Sequence, residues 1–194
     1  MNVLIACEES GTVRDAFIKK GHNAISCDIL ETGSPGPHIR GDVKNLLGYK
    51  WDLIIAHPPC TYLCNSGVCW IKRDLGRMDK VKEAVEFFKL FLGADCEKIC
   101  VENPIPHKYG LGKTYTQIIH PYEYGHPERK ATCLWLKGLP RLKSTNNVKR
   151  EMEKLPKNKA QRLHYLPPGP ERAKLRSKTF QGIADAMADQ WGEI

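Results

Sequence analysis

Short apolar runs, each stopped by a polar turn, constrain this chain more than any other feature. Residues 3–7, 23–27, 51–56 and 98–101 are rich in Val, Ile, Leu, Ala and Cys and are too short for helices. Between the first two lies a helix-spaced stretch, residues 12–20, with Val13, Ala16 and Phe17 on one side. Thr12 stands at its start as an N-cap and Gly21 at its end as a stop. Between the last two, residues 80–92 place Val81, Ala84, Val85, Phe88 and Phe91 on one face of an amphipathic helix. Strand, helix, strand in repetition is the signature of an α/β fold built on a mostly parallel sheet with helices on both faces. Shorter strands are expected near residues 117–119 and 132–136, and a last helix over 180–191 through Ile183, Ala184, Met187 and Trp191.

Charge divides the chain unevenly. The net charge is +8, yet residues 137–178 alone carry 13 Lys and Arg against three acids. The remainder is therefore slightly acidic, and one segment holds the whole basic excess. A phosphate-bearing partner, nucleic acid, is the natural reading of such a segment. Gly, Pro, Asn and Lys dominate residues 138–169 and leave little core signal, so an extended arm is expected there. The resulting division is a core over residues 1–136, a basic arm over 137–178 and a C-terminal helix over 179–194. No apolar run approaches the roughly 18 residues of a membrane span, and the opening MNVLIACEESG has neither the length nor the basic start of a signal peptide. A cytoplasmic protein without a membrane partner is expected. Its eight cysteines contain no C-x-x-C pair, and no metal site is expected.

In an open parallel sheet, ligands bind beyond the carboxyl ends of the strands. The chemically capable residues fall at those ends. Glu8-Glu9-Ser10-Gly11 follows the first strand and Asp28-Ile29 the second. Asp42 lies in a Gly41-Asp42-Val43 turn, Pro58-Pro59-Cys60 ends the fourth strand, and Glu102-Asn103-Pro104 ends the fifth. Five ends on one rim read as one site.

This ordered series resembles the DNA cytosine-5 methyltransferase family, over roughly residues 1–136. Pro58-Pro59-Cys60 is similar to that family's nucleophile loop and Glu102-Asn103 to its Glu-Asn motif. Asp28 matches its ribose-holding acid, and Gly41-Asp42-Val43 the motif that meets the adenine amino group. The resemblance implies a Rossmann-like methyltransferase fold and S-adenosyl-L-methionine as cofactor. It implies Ser10, Gly11, Asp28, Ile29, Asp42 and Pro58 as cofactor contacts, and Cys60, Glu102, Asn103 and Arg129 as catalytic residues. Short phage-encoded members end in a similar arm and helix, which implies a phage or prophage origin.

The implied chemistry explains the residue types. Cytosine C5 is a poor nucleophile until a thiolate adds to C6, the role of Cys60. Glu102 would place a proton at ring N3, and Asn103 would hold the loop or the base. This chain departs from the pattern in four ways. It has one glycine in the first turn, Pro104 after the Glu-Asn pair, His57 before the Pro-Pro, and only Glu128-Arg129-Lys130 where an Arg-rich motif is usual. It also replaces a target-recognition domain by a short arm. Such an arm grips phosphate better than it reads bases. Loose sequence preference, or a protein partner that supplies it, follows. Tyr62, Trp70 and Tyr165 are candidates for stacking on a base.

Three other functions compete. Amino-group methyltransferases carry Pro-Pro-aromatic after Asp, Asn or Ser; here the flanks are His57 and Cys60, and Tyr62 comes two positions late. A non-catalytic nucleic-acid binder would need only the arm and an intact fold. A thiol enzyme would pair Cys60 with His57 or His107, but no third orienting group can be named.

Overall fold

The structure, a computed structural model, describes residues 1–71, 73–74 and 76–194. The apolar runs form strands β1 (Asn2–Ala6), β2 (Asn23–Asp28), β4 (Leu53–Ala56) and β5 (Ile99–Pro104). A three-residue strand, β3 (His38–Arg40), lies inside the expected loop. Two more, β6 (Gln117–Ile119) and β7 (Thr132–Lys137), complete a sheet of order β3-β2-β1-β4-β5-β7-β6. The first five run parallel; β7 is antiparallel to β5, and β6 to β7. This is the α/β, Rossmann-like architecture expected from the sequence.

Alternation of buried residues along the central strands explains the layering. Val3 and Ile5 of β1, Leu53 and Ile55 of β4, and Leu134 of β7 face one side. There they meet α1 (Thr12–Lys19) and α6 (Gln181–Trp191). Leu4, Ala6, Ile54, Ile99, Val101 and Trp135 face the other side, against Phe88 and Phe91 of α2 (Arg77–Leu92). Helices therefore cover both faces. α6 seats fully buried Trp191 and Met187 beside α1, and each such side chain contributes about 1.5–3 kcal/mol. Gly182 lets α6 pass the Tyr124 carbonyl, where a methyl group would collide.

The arm is not the extended segment its composition implies. It folds into α3 (Lys149–Lys154), α4 (Lys157–Ala160) and α5 (Pro170–Ser177). Leu142, Met152, Ala160 and Leu163 are buried and anchor it. Among the described residues, no helix is long and apolar enough to cross a membrane, and no group of three or more His, Cys, Asp or Glu is placed to hold a metal ion.

Candidate active site

Strand register draws the rim. Ala6 pairs with Cys27 and with Ala56, and Ala56 pairs with Val101. The next residues, Cys7, Asp28, His57 and Glu102, therefore stand on one line. Arg40 pairs with Asp28, which brings Gly41 and Asp42 to the same edge. The chain builds outward from β1 to β3 and then returns beside β1 as β4. The crevice of such a sheet opens at this reversal. Glu102 and Asn103 differ from expectation in one respect. They lie inside β5, because antiparallel β7 keeps pairing after β4 has ended: Glu102 faces Leu134 and Asn103 faces Cys133.

On the β1–β3 side the first turn is organised by Glu8. Its carboxylate is buried and accepts the N–H groups of Val13 (2.7 Å) and Arg14 (3.3 Å). Ser10 Oγ bonds Glu8 (3.3 Å) and Thr12 Oγ1 (3.1 Å), and Gly11 has φ +70° at the start of α1. A dinucleotide would set its pyrophosphate on the first amides of this helix. Here a carboxylate of the chain itself occupies them, so a second anion is repelled. The turn suits a nucleoside without phosphates.

The remaining contacts fit that ligand. Asp28 Oδ1 accepts from the Leu30 amide (2.9 Å), and its other oxygen has no donor among the described residues. A diol would supply donors there. Ile29 is 73% exposed next to it, an apolar surface of the kind a purine ring covers. Asp42 accepts from the Lys44 amide (3.0 Å) and pairs with its ammonium (3.0 Å), which hold its carboxyl below the ordinary range. Arg14 fixes the wall behind them. Its fully buried guanidinium donates to Asp15, Ser26, Thr32 and the carbonyls of Ser34 and Pro35, at 2.8–3.2 Å. Cys7 has φ 57°, a left-handed conformation rare outside glycine, and such strain gathers at functional rims. Burial, then Asp28, Cys27 and Asp42, push its thiol up to about 12, so it stays neutral.

On the β4–β5 side the backbone turns sharply at Cys60, whose carbonyl accepts from Leu63 (3.0 Å) and Cys64 (2.9 Å). This loop is laced to the one after β5. Asn65 donates to the Ile105 carbonyl (2.8 Å), His107 to the Leu63 carbonyl (3.0 Å), and the His107 ring to the Tyr62 carbonyl (2.8 Å). His107 is thus structural. The Cys60 thiol is raised by contact with Cys64, then by burial and by Glu102, while Lys130 opposes the shift. Cys64 moves the other way, held well below the ordinary thiol range by Cys60 and by Ser66, whose hydroxyl lies 3.0 Å from its sulfur. The two thiols thus act on one another in opposite directions, Cys60 favouring its proton and Cys64 giving its proton up.

Buried polar atoms without partners mark where a substrate would bond. Both His57 ring nitrogens and Asn103 Oδ1 are enclosed and unpaired among the described residues. Asn103 Nδ2 is spent on the Pro104 carbonyl (2.6 Å). Pro58 is buried beside His57.

Arg129 does not join this group. Its side chain is exposed and acts on His120 and Tyr122, while its amide bonds the Ala160 carbonyl (2.7 Å). The cation felt by Cys60 is its neighbour Lys130, which donates to the Arg176 carbonyl of α5 (2.8 Å) and lies 6.0 Å over the Phe180 ring. Arg14 and Cys64 are the residues that the strand-end reading passes over; Glu8 and Lys130 it names without assigning them a role. Of the aromatic candidates, Tyr62 lies under Arg77 (5.0 Å) and Trp70 under Arg73 (5.5 Å), close along the chain to Cys60. Tyr165 sits exposed on the arm against His164.

No protein-family model matches the chain, and no curated protein matches it. Solved structures similar to it include two methyltransferases. One is a protein named as a DNA modification methyltransferase encoded within an E. coli prophage. It is 15% identical, with a TM-score of 0.48, covering 81% of this chain and 56% of that one. The other is the S. pombe Dnmt2 methyltransferase, 13% identical, with a TM-score of 0.43, covering 100% of this chain and 66% of that one. The chain thus spans less than two thirds of the length of either.

Proposed function

We propose that this protein methylates C5 of cytosine in DNA with S-adenosyl-L-methionine, through a covalent adduct on Cys60. The observation that supports the reading is the register of β4 and β5: Ala56 pairs with Val101, so the loop carrying Cys60 leaves the sheet beside Glu102, whose charge adds to the rise of the Cys60 thiol. A phosphate-free nucleoside site lies across the crevice, at Gly11, Asp28, Ile29 and Asp42. Bound there, S-adenosyl-L-methionine would supply an electrophilic methyl group. Ser10 and Glu8 shape the turn around it, and Pro58 walls the crevice.

The residues of the chain divide the work. Cys64 and burial hold the Cys60 thiol raised, with Lys130 opposing that weakly, so Cys60 would pass its proton to Cys64 as it attacks. Cys60 adds to C6 of the ring, and the displaced electron pair moves toward C5 and N3. Glu102 shares a proton with N3 and stabilises the charge there. Asn103 Oδ1 and the His57 ring, both without protein partners, would bond the polar edge of the base. Once C5 is methylated and loses its proton, the C6–S bond breaks and the electron pair returns to Cys60.

Exposed cations of α3 and α4 would grip the DNA backbone, while few elements are placed to read bases or to wedge a duplex open. Weak sequence preference, or a protein partner that confers one, follows from that surface. A phage or prophage setting suits an enzyme of this form.

Substrate carrying 5-fluorocytosine tests the chemistry, since C5 then has no proton to lose and the adduct accumulates. With methyl-labelled S-adenosyl-L-methionine, the adduct is expected on the Cys60 peptide of the wild type and absent in Cys60→Ser. Equal adduct in both proteins would remove Cys60 from the role. Duplex DNA, single-stranded DNA, RNA and dCMP run in parallel identify the substrate form.

A further inference from the structure

Cys64 has no part in the addition to cytosine beyond sharing a proton, yet it stands one turn from the nucleophile. The two residues lie four apart on one helical turn, closed by the bond from the Cys64 amide to the Cys60 carbonyl (2.9 Å). That geometry sets their Cα atoms about 6 Å apart, inside the range of roughly 4.4–6.8 Å that disulfides span. Both side chains are partly exposed, and each is the other's thiol neighbour. The surroundings of the other cysteines differ. Cys96 is buried and donates to the Trp51 and Lys98 carbonyls (3.2 Å each), Cys27 donates to the Gly41 carbonyl (3.6 Å), and Cys100 and Cys133 are buried in the sheet.

We propose that Cys60 and Cys64 are an oxidation site, which a peroxide converts to a disulfide that removes the nucleophile reversibly. The consequence for methyl transfer rests on the reading of Cys60 given above; the cross-link itself does not. The step balances. The Cys64 thiolate attacks one peroxide oxygen and the O–O bond breaks. This leaves a sulfenic acid on Cys64 and a hydroxide that takes the Cys60 proton, forming water. The Cys60 sulfur then attacks the Cys64 sulfur and displaces hydroxide, which takes from solvent the proton that Cys64 had released and leaves as a second water. Counted from the two thiols, two electrons and two protons are lost, and one peroxide is reduced to two waters. Attack starts at Cys64 because its thiolate is the better populated of the two. Cys60 is the resolving thiol, one turn away.

Hydrogen peroxide on the purified full chain, followed by alkylation and tryptic mass mapping, tests this. Cys60, Cys64 and Cys69 fall on one peptide, so fragmentation must assign the link. The expected product lacks two hydrogens, links Cys60 to Cys64, and carries the alkyl group on Cys69. It should persist in Cys69→Ser, vanish in Cys64→Ser, and reverse with dithiothreitol, with circular dichroism showing each variant folded. A link to Cys69 instead, or sulfinic acid accumulating on Cys60 while Cys64 stays reduced, would overturn the proposal. In the activity arm, oxidation should abolish methyl transfer and reduction restore it. If the link forms while Cys60→Ser still transfers methyl, the oxidation site stands and the nucleophile reading falls.

Discussion

Glu8 is where the cofactor turn can be weighed by its energy. Replacing it with alanine removes the acceptor of two buried amides, those of Val13 and Arg14, whose residues are fully buried. Loss of an N-terminal helix cap costs about 0.5–2 kcal/mol, and a hydrogen bond to a charged group is worth about 1.5–3 kcal/mol. The two figures overlap rather than add, since they describe the same interactions. Glu8→Ala should therefore destabilise by about 2–3 kcal/mol, the upper half of that range, because water cannot reach the amides easily. Glu8→Gln keeps one oxygen for the Val13 amide at 2.7 Å and turns its nitrogen toward Arg14, so about 1 kcal/mol is expected. Glu9→Ala is the control. Its carboxylate pairs with largely exposed Lys174 (3.0 Å), an interaction worth under about 1 kcal/mol. Urea unfolding followed by circular dichroism reads all three as shifts of midpoint at constant slope. A Glu8→Ala cost below about 0.5 kcal/mol, the range of indifferent surface changes, would mean that the carboxylate does not fill the helix start. The exclusion of phosphate-bearing cofactors would then fall with it.

Two further outcomes follow from the electrostatics. Iodoacetamide should label the Cys60–Cys64 pair at mildly acidic pH, where its thiolate persists, while Cys7, held protonated up to about 12, stays unlabelled until strongly alkaline pH; peptide mapping across pH checks this, and labelling of Cys7 first would contradict it. Neutralising Lys149, Arg150, Lys154, Lys157 and Lys159 should flatten the salt dependence of DNA binding, by about 0.9 in log–log slope for each duplex phosphate that no longer meets a cation. Filter binding at several salt concentrations measures it, and an unchanged slope would mean that these cations do not meet phosphate.

The strands and their terminal acids were legible because two signals coincide at each one. An apolar run has to be buried, and the first polar residue after it has to leave the sheet on one side. Asp28, at the end of β2, obeys that rule; Glu102 follows its apolar run but stays inside β5, and Asp42 and Cys60 lie two and four residues beyond β3 and β4. β3 was illegible because its three residues carry no period; it exists by pairing with β2, aided by the His38 ring bonded to Ser26 (2.8 Å) and the Leu30 carbonyl (3.0 Å). The reversed direction of β7 leaves no local trace either. It is set by how the chain returns, and it is what carries β5 past β4 as far as Glu102. In the arm, Leu142, Met152 and Ala160 lie eight to ten residues apart, and only Ala160 and Leu163 fall at a helical interval, too few to show an apolar face. Met152 is the buried residue of α3 and Ala160 that of α4. The choice of Arg129 over Lys130 was a matter of one residue. Sequence marks the segment as basic, but which side chain turns inward depends on the Arg176 carbonyl and the Phe180 ring that receive it.

That last dependence bears on what the basic arm is for. Its cations do not act as one pool. Arg162 reaches buried Glu128 (3.4 Å), and Lys174 reaches Glu9 (3.0 Å). The carbonyl of Arg176 seats Lys130. α5 thus reaches both halves of the rim: Glu9 in the first turn, and Lys130, whose charge Cys60 feels. A segment that only trailed behind the core would need none of these interactions. The cations of α3 and α4 stay exposed, Lys149 beside Glu153 (3.9 Å). The arm can therefore be short without being incidental, because α5 is tied to both sides of the candidate site.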